Sequence, residues 1–598
     1  MSDLQKKAEE LVKSGKISNE AYKNLEIWIT DARYADFRGQ IEALLEDNDL
    51  SQLEDSFYKH IEIGTGGIRG SLGAGPNRIN KITIGEAAQG LANFINGFGI
   101  EAKNKGVVVG YEVRKSSLEF AELCCSVFAA NRIKSYLFDG LRATPEVSFG
   151  VRHLKATAGV QITASHNPRT DNGFKFYWSD GGQVVPPVDQ KFMELVKDVV
   201  EIKKIPFEQA VSYGLVIMIG KDIDEAYLEK IKELSLVGSR SAKVAFSPIH
   251  GAGITNVLPI LESEGFDVEI VPEQAKPDEN FPTAVGDLIN PEYPQVMQIP
   301  MKFGEKVEAD VVINSDPDAD RMGVASRVHL NDKNLQFLTG NEIGVAMCHF
   351  ILSQLKNKGG LSDQSLVLET YVTTTLISDI TRRFGAKIRD DLLVGFKYIG
   401  EIIEKLENKD DFVFAAEESL GYLRGSFVRD KDAAIAAFTL CELVSFLKDE
   451  KKTLVNYLDE IYEEYGYYKN ILHMQEMRGK IGFINTGNVM RGLRQNPPGE
   501  LASLKVISVV DRLAKDMAKP ENYKTGFTGD QLTFIFSDDE RVRVTVRPSG
   551  TEPKIKYYIQ NYAKAATDLD IVKKRVNTQA EDLERAILKE ASKYIQSE

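Results

Sequence analysis

The strongest constraint on what this chain can fold into is a repeated alternation. Short apolar runs stop abruptly at polar or glycine-bearing loops, and amphipathic stretches of helical period fill the intervals. Val107-Val108-Val109-Gly110-Tyr111 is one such run and Gly159-Val160-Gln161-Ile162-Thr163 another. Ala242-Lys243-Val244-Ala245-Phe246, Asp310-Val311-Val312-Ile313-Asn314 and Phe412-Val413-Phe414-Ala415 continue the series. Strands alternating with helices specify α/β units in series. Ligands of such units gather at the loops after strand ends, so the chemistry of this chain is expected where its apolar runs stop.

The ends of the chain read differently. Residues 1–60 form a charged, periodic helical prelude, with Ala8, Leu11 and Val12 on one face and Trp28 and Ile29 in a later helix. A helix is expected near 187–203. Residues 450–525 look helical, with Tyr457, Ile461, Tyr462 and Tyr465 as a core stripe. Strands are expected over 532–537, 541–547 and 554–560, and a closing helix over 568–594. At 598 residues the chain is too long for one core, and about three to five domains are expected.

A net charge of -14 argues against nucleic acid or an anionic membrane as the main partner, since both need a basic footprint. It leaves room for a small anion held by a few focused cations. Cys124, Cys125, Cys348 and Cys441 form no CxxC pair and read as small buried apolar residues, which suits a reducing cytoplasm. The first residues, MSDLQKKAEELVKSG, lack the apolar core of a signal peptide, and no apolar run approaches the ~18–20 residues that span a bilayer.

Two strand ends carry the clearest chemistry. After the run 159–163 come Ala164, Ser165, His166, Asn167 and Pro168, with Lys175 shortly beyond: a hydroxyl nucleophile, an imidazole and an amine. The G-x-S-x-G elbow of acyl-transfer hydrolases is absent, because Thr163 and Asn167 flank the serine. After the run 310–314 come Asp316, Asp318 and Asp320, then Arg321. Carboxylates this close repel by roughly several kcal/mol unless exposed, protonated or joined by a cation. A calcium loop would need glycine and glutamate where Arg321 and Arg327 stand. An incomplete oxygen site at a strand end suits Mg²⁺, which keeps positions open for phosphate oxygens, and Arg321 can neutralise a phosphate beside it. A serine, a lysine and a metal together fit phosphoryl transfer.

Three further segments are chemically suggestive. Gly64-Thr65-Gly66-Gly67-Ile68-Arg69-Gly70 is a glycine-rich turn with Arg69 expected at its tip; it is neither a dinucleotide fingerprint nor a Walker A loop. Arg547-Pro548-Ser549-Gly550-Thr551-Glu552-Pro553-Lys554 follows a strand and offers a guanidinium, hydroxyls and glycine amides to a phosphate. Glu417-Glu418-Ser419 offers acceptors for sugar hydroxyls.

In their order these segments resemble the α-D-phosphohexomutase superfamily of phosphoglucomutases and phosphomannomutases. The resemblance spans roughly residues 60–590 and rests on the glycine-rich loop at 64–70, TASHNP at 163–168, NGFK at 172–175, DPDADR at 316–321, GFKYIG at 395–400, EES at 417–419 and RPSGTEPK at 547–554. Gly110-Tyr111-Glu112-Val113-Arg114 and Ser247-Pro248-Ile249-His250-Gly251 are lesser matches; Glu112 stands where aspartate is more usual. The resemblance implies an α/β fold of four domains around a central cleft: three related α/β units with mixed sheets and a smaller C-terminal α+β domain. The expected segments are a helical extension 1–55, then 56–215, 216–335, 336–465 and 466–598. It implies that Ser165 becomes phosphorylated, that Asp316, Asp318 and Asp320 hold Mg²⁺ with a phosphoserine oxygen, and that Lys175 moves the proton with Arg69 and His166 assisting. Gly395, Lys397, Glu417 and Ser419 would bind the sugar, and Arg547, Ser549, Gly550 and Thr551 the phosphate that is not reacting.

The implied reaction interconverts glucose 1-phosphate and glucose 6-phosphate through a sugar 1,6-bisphosphate. The loop Glu417-Glu418-Ser419-Leu420-Gly421 is closer to the glucomutase form than to the GEMSGH form of many phosphomannomutases, and the helical prelude with its WITD segment looks like the branch that includes phosphopentomutases. Mannose or pentose phosphate therefore stand as alternative substrates, and a metal-dependent sugar phosphatase as the alternative from another class. Neither nucleic acid nor membrane is expected as a partner, and the oligomeric state is left open.

Overall fold

The computed structural model describes residues 3–47, 50–64, 67–477, 479–513, 529–549, 554–565 and 568–596. The chain packs as two units. One comprises the residues up to Ile223 together with Asp278–Ile289; the other comprises Asp224–Pro277 and the residues from Asn290 onward. Three mixed sheets with helices and an antiparallel C-terminal sheet give the three α/β domains and β-rich last domain that the sequence implied.

In the first unit the prelude is helical as expected: Asp3–Lys13, Asn19–Thr30, Arg38–Glu46 and Ser51–Phe57 surround a core of Ala8, Leu25, Trp28, Ile41 and Phe57. Leu11 and Val12 pack against that core. The sheet beyond it has seven strands in the order Ile63–Gly64, Gly67–Ser71, Asp171–Trp178, Ala158–Ile162, Val107–Tyr111, Ser135–Phe138, Val216–Ile219. The last four run parallel, and the first three are joined antiparallel. Its edge strand Val216–Ile219 lies just past residue 215, the expected end of the domain. Val107, Val108 and Val109 are fully buried, which is why a central parallel strand reads as an unbroken apolar run. The helix expected near 187–203 is Val188–Lys197.

The second unit contains the other three large sheets. One is ordered Leu335–Leu338, Met322–Arg327, Val311–Ser315, Lys243–Ser247, Asp267–Ile270; the next is Lys387–Leu392, Leu366–Thr370, Phe412–Glu417, Gly421–Leu423. Both combine parallel pairs with an antiparallel edge. The last sheet is antiparallel throughout, in the order Tyr467–Glu476, Lys554–Ala563, Arg543–Pro548, Leu532–Ile535, Ser508–Asp511. The helices Gly479–Gln495 and Leu569–Ser592 pack on it.

The helical reading of 450–525 holds only in part. Leu454–Tyr465 is a helix that buries Tyr457, Ile461 and Tyr462, and Gly479–Gln495 is another. Between them Tyr467–Glu476 is a strand, paired along its whole length with Lys554–Ala563. Gly466 ends the helix at φ +98°, where a Cβ would come within 2.5 Å of the Tyr562 ring, so only glycine makes this turn. A partner strand far along the sequence then overrides the local pattern.

Candidate active site

Each set of candidate residues is positioned by the end of a buried strand. In the first unit, Ala158–Ile162 delivers Thr163 and Ser165, and the neighbouring strand Asp171–Trp178 carries Lys175 opposite Gln161. Gly173 lets the strands close up: a Cβ there would lie 2.3 Å from the Ile68 carbonyl and 2.7 Å from that of Thr163. Ser165 is buried and holds φ 54°, a left-handed conformation uncommon away from glycine. Its Oγ lies 3.2 Å from His166 Nδ1. Lys175 is buried as well, and its Nζ donates to Thr144 Oγ1 at 3.3 Å. Ser165 and His166 thus lie on the loop after one strand, whereas Lys175 lies within the neighbouring strand rather than on that loop.

Arg69 is not at the tip of a turn. It lies within the strand Gly67–Ser71, opposite Gly173. Gly67, at φ +100°, returns the chain into a hairpin, and this puts Arg69 beside the strand of Lys175 rather than at the apex. Thr65 and Gly66 lie outside the described residues.

In the second unit, Val311–Ser315 delivers the aspartates. Asp316, Asp318 and Asp320 are fully buried and offer oxygens that all lie within 4.8 Å of one another. Asp316 Oδ1 accepts the N–H groups of Asp320 and Arg321 at 3.1 and 3.0 Å, which curls the loop around its first carboxylate. Gly251 allows close backing, since a Cβ would come within 2.4 Å of Pro317 Cα, and Ala252 N–H donates to the Pro317 carbonyl at 2.7 Å. A set of buried anionic oxygens at this spacing fits a hard divalent cation such as Mg²⁺.

The cations around this loop are more engaged than the sequence suggested. Arg321 donates to the Ser419 carbonyl at 3.0 Å and faces Glu292 at 3.5 Å. Burial works against its charge, but Glu292, Asp320 and Asp316 more than compensate and raise its pKa. Lys431 lies 2.9 Å from Asp320 and 3.4 Å from Asp430. Burial again opposes the charge, and the two aspartates outweigh it. Neither Lys431 nor Glu292 was singled out from the sequence. The charged quartet Arg429-Asp430-Lys431-Asp432, set directly before the apolar helix Ala433–Asp449, was the available signal for Lys431.

The sugar-loop candidates join the same neighbourhood. Glu417 ends the strand Phe412–Glu417 and accepts the Gly395 N–H at 3.0 Å. Burial raises its pKa, with Lys431 and Arg321 opposing. Met322 N–H donates to the Leu420 carbonyl at 3.1 Å, a second tie between the two loops. Lys397 is buried in the helix Phe396–Lys405 that Gly395 introduces. Arg547 lies in the strand Arg543–Pro548 opposite Lys556, and Ser549 N–H donates to the Lys554 carbonyl at 2.8 Å. Gly550 and Thr551 lie outside the described residues.

Comparison with known proteins bears directly on this arrangement. Residues 60–202, 225–329 and 339–465 match, in order, the alpha/beta/alpha domains I, II and III described as phosphoglucomutase/phosphomannomutase. Over 546 residues the chain is 33% identical to a phosphoglucomutase of Staphylococcus aureus, covering 89% of this chain and 94% of that protein. The chain belongs to the phosphoglucomutase/phosphomannomutase family. It is an isomerase of the mutase type, and the family acts on sugar phosphates. Solved structures share the fold: a putative phosphomannomutase from Thermus thermophilus at TM-score 0.62 and 21% identity covers 90% of this chain and 100% of its own. Parafusin, a phosphoglucomutase of Paramecium, in its open form, matches at TM-score 0.65 and 17% identity over 88% of this chain and 96% of that one. Among the described residues no helix is long and apolar enough to cross a membrane.

Proposed function

We propose that this mutase interconverts glucose 1-phosphate and glucose 6-phosphate, with Ser165 as the phosphate carrier and a sugar 1,6-bisphosphate as intermediate. The observation that carries the reading is the bridge made by Arg321. One guanidinium borders the aspartate trio and also holds the Ser419 carbonyl of the loop suited to sugar hydroxyls. The loop that would hold the metal and the loop that would read the sugar are thereby tied by one side chain.

In the proposed cycle the phosphoryl group of phosphoserine 165 passes to the free hydroxyl of the bound monophosphate. The P–O bond to Ser165 breaks, a P–O bond to the sugar forms, and the hydroxyl proton passes by way of a general acid/base to the freed Ser165 oxygen. The other phosphate of the bisphosphate then returns to Ser165 and the isomer departs. Lys175 is the group assigned to the proton, His166 steadies the Ser165 oxygen it touches, and Arg69 balances phosphate charge. Gly395, Lys397, Glu417 and Ser419 orient the sugar; Arg547, Ser549, Gly550 and Thr551 hold the phosphate at rest. Asp316, Asp318 and Asp320 would hold Mg²⁺, which supplies charge neutralisation to the transferring phosphoryl group. The four cysteines, all buried thiols, suit action in the cytoplasm.

The test compares kcat/KM for the 1-phosphates of glucose, mannose and ribose, with inorganic phosphate measured beside each isomer. Glucose 1-phosphate is expected to lead, with free phosphate a minor product. A higher value for mannose or ribose phosphate would reassign the sugar, and phosphate release matching substrate loss would make the protein a phosphatase.

A further inference from the structure

The loop that presents Ser165 is gripped by buried side chains to which the reaction itself gives no part. Arg114 spreads its guanidinium under the loop. Its Nη2 donates to the carbonyls of Ser165 and Asn167 at 2.6 and 2.7 Å, and its Nη1 to those of Pro168 and Asp171 at 2.6 and 2.8 Å. The acceptors are backbone oxygens of the nucleophile loop and of Asp171, the first residue of the strand that follows it. Glu112 grips the same guanidinium from its other edge, 2.6 Å from Nε, and accepts the Arg114 N–H at 3.1 Å. Both side chains of the pair are fully buried.

A second line runs from Glu112 to the same serine. Glu112 accepts from Thr163 Oγ1 at 3.1 Å, and Thr163 Oγ1 accepts the Ser165 N–H at 2.7 Å. The N–H and the C=O of Ser165 therefore each lead back to one carboxylate through a single intermediary, Thr163 on one side and Arg114 on the other. A backbone seized at both ends is what the left-handed φ of 54° at a serine requires.

We propose that Glu112, Thr163 and Arg114 form a positioning relay that fixes the backbone of Ser165 and so aims its Oγ for phosphoryl transfer, an inference that rests on Ser165 being the phosphate carrier. None of the three touches the reacting atoms; they act through the serine's peptide groups. The length of the glutamate matters, because its carboxylate serves Thr163 and Arg114 together, and an aspartate is one methylene shorter.

The test follows phosphate transfer from glucose 1,6-bisphosphate to the dephosphorylated full-length protein in the presence of Mg²⁺, by rapid quench and intact mass. Thr163→Val keeps the shape and removes the relay hydroxyl; Thr163→Ser keeps the hydroxyl. Misplacing a reacting group by about 1 Å can cost roughly 10²-fold, so Thr163→Val is expected to slow transfer about 10- to 100-fold. The bisphosphate concentration for half-maximal rate should stay near the wild-type value, and Thr163→Ser should recover most of the rate. Wild-type transfer by Thr163→Val, or equal losses in the valine and serine variants, overturns the relay. If Thr163→Val does not fold, Glu112→Asp decides by the same readout: slowed transfer at unchanged half-saturation supports the relay, and wild-type transfer overturns it. A Ser165→Ala protein that still gains a phosphate strikes the assignment of Ser165 itself, which is a different failure.

Discussion

The serine loop and the aspartate loop answer the same structural problem in opposite ways. Each follows the end of a buried strand, and each contains a non-glycine residue at positive φ, Ser165 at 54° and Ala319 at 48°. The serine loop is tied through its backbone: Arg114 takes its carbonyls, and Glu112 sits behind Arg114 as a counter-ion inside the same unit. The aspartate loop, though Ala252 N–H takes its Pro317 carbonyl, is tied chiefly through its own side chains. Asp316 takes two of its own N–H groups, and Lys431 faces Asp320. The first loop is built to stay the same whichever groups come and go on Ser165. The second concentrates buried negative charge, and its stability is coupled to whatever cation is present.

Ser165→Ala gives the largest expected effect and separates chemistry from loop shape. Mutase activity should fall by roughly 10⁴-fold or more, as for removal of other covalent nucleophiles. The thermal midpoint should stay near wild type, because every bond Arg114 makes to the loop is to its backbone. A large loss of midpoint in this variant would break the comparison, since it would show the hydroxyl holding the loop.

Lys431→Met should act in the other direction, on stability and its dependence on metal. Removing one partner of a buried ion pair typically costs about 3–5 kcal/mol, and Asp320 is fully buried. Without added metal the variant is expected to unfold at lower urea than wild type. Mg²⁺ should restore more stability to it than it adds to wild type, because binding to the folded state alone stabilises by mass action and the competing ammonium is gone. An equal Mg²⁺ increment in both proteins would mean that Lys431 and the metal do not share the aspartates' charge.

The same contrast explains what could be read from the sequence. The strands before Ser165 and the aspartates were legible because each is short, mostly apolar and buried along its length, and its end is marked. The strands that deliver them were placed to within a residue. Tyr467–Glu476 was not legible, because its partner Lys554–Ala563 lies far along the chain and nothing local names it. Arg69 was set at a turn tip because a glycine-rich stretch does not disclose where its hairpin reverses. Glu292 and Lys431 were missed for a more general reason. A charged residue in a sequence has the same appearance whether it is solvated or buried against an opposite charge, and only the fold supplies the partner. Glu112 and Arg114 were visible only as a partial family match, and the structure shows what they grip.

A third way to accommodate a buried carboxylate, neither backbone nor metal, is a proton, and the surroundings of Glu418 favour it. Burial raises its pKa to about 7, with the Glu417 charge adding to the rise and Lys556 opposing it; Thr370 Oγ1 donates to it at 3.3 Å. Its ordinary value is 4.5. Between those limits the folded protein keeps a proton that the unfolded chain has lost, so the folded state binds more protons there. Stability from this group must then fall as pH rises from about 4.5 to about 7, the reverse of a salt-bridged carboxylate. Glu418→Gln is neutral at every pH and should flatten that part of the thermal-midpoint profile, with the variant gaining on wild type between about pH 4.5 and about 7 and holding that gain above it. The shift is expected to be small, because many other groups titrate in the same range, and it should be indifferent to Mg²⁺. A Glu418→Gln profile parallel to wild type would show that Glu418 is ionised across the range, with its charge balanced by Lys556.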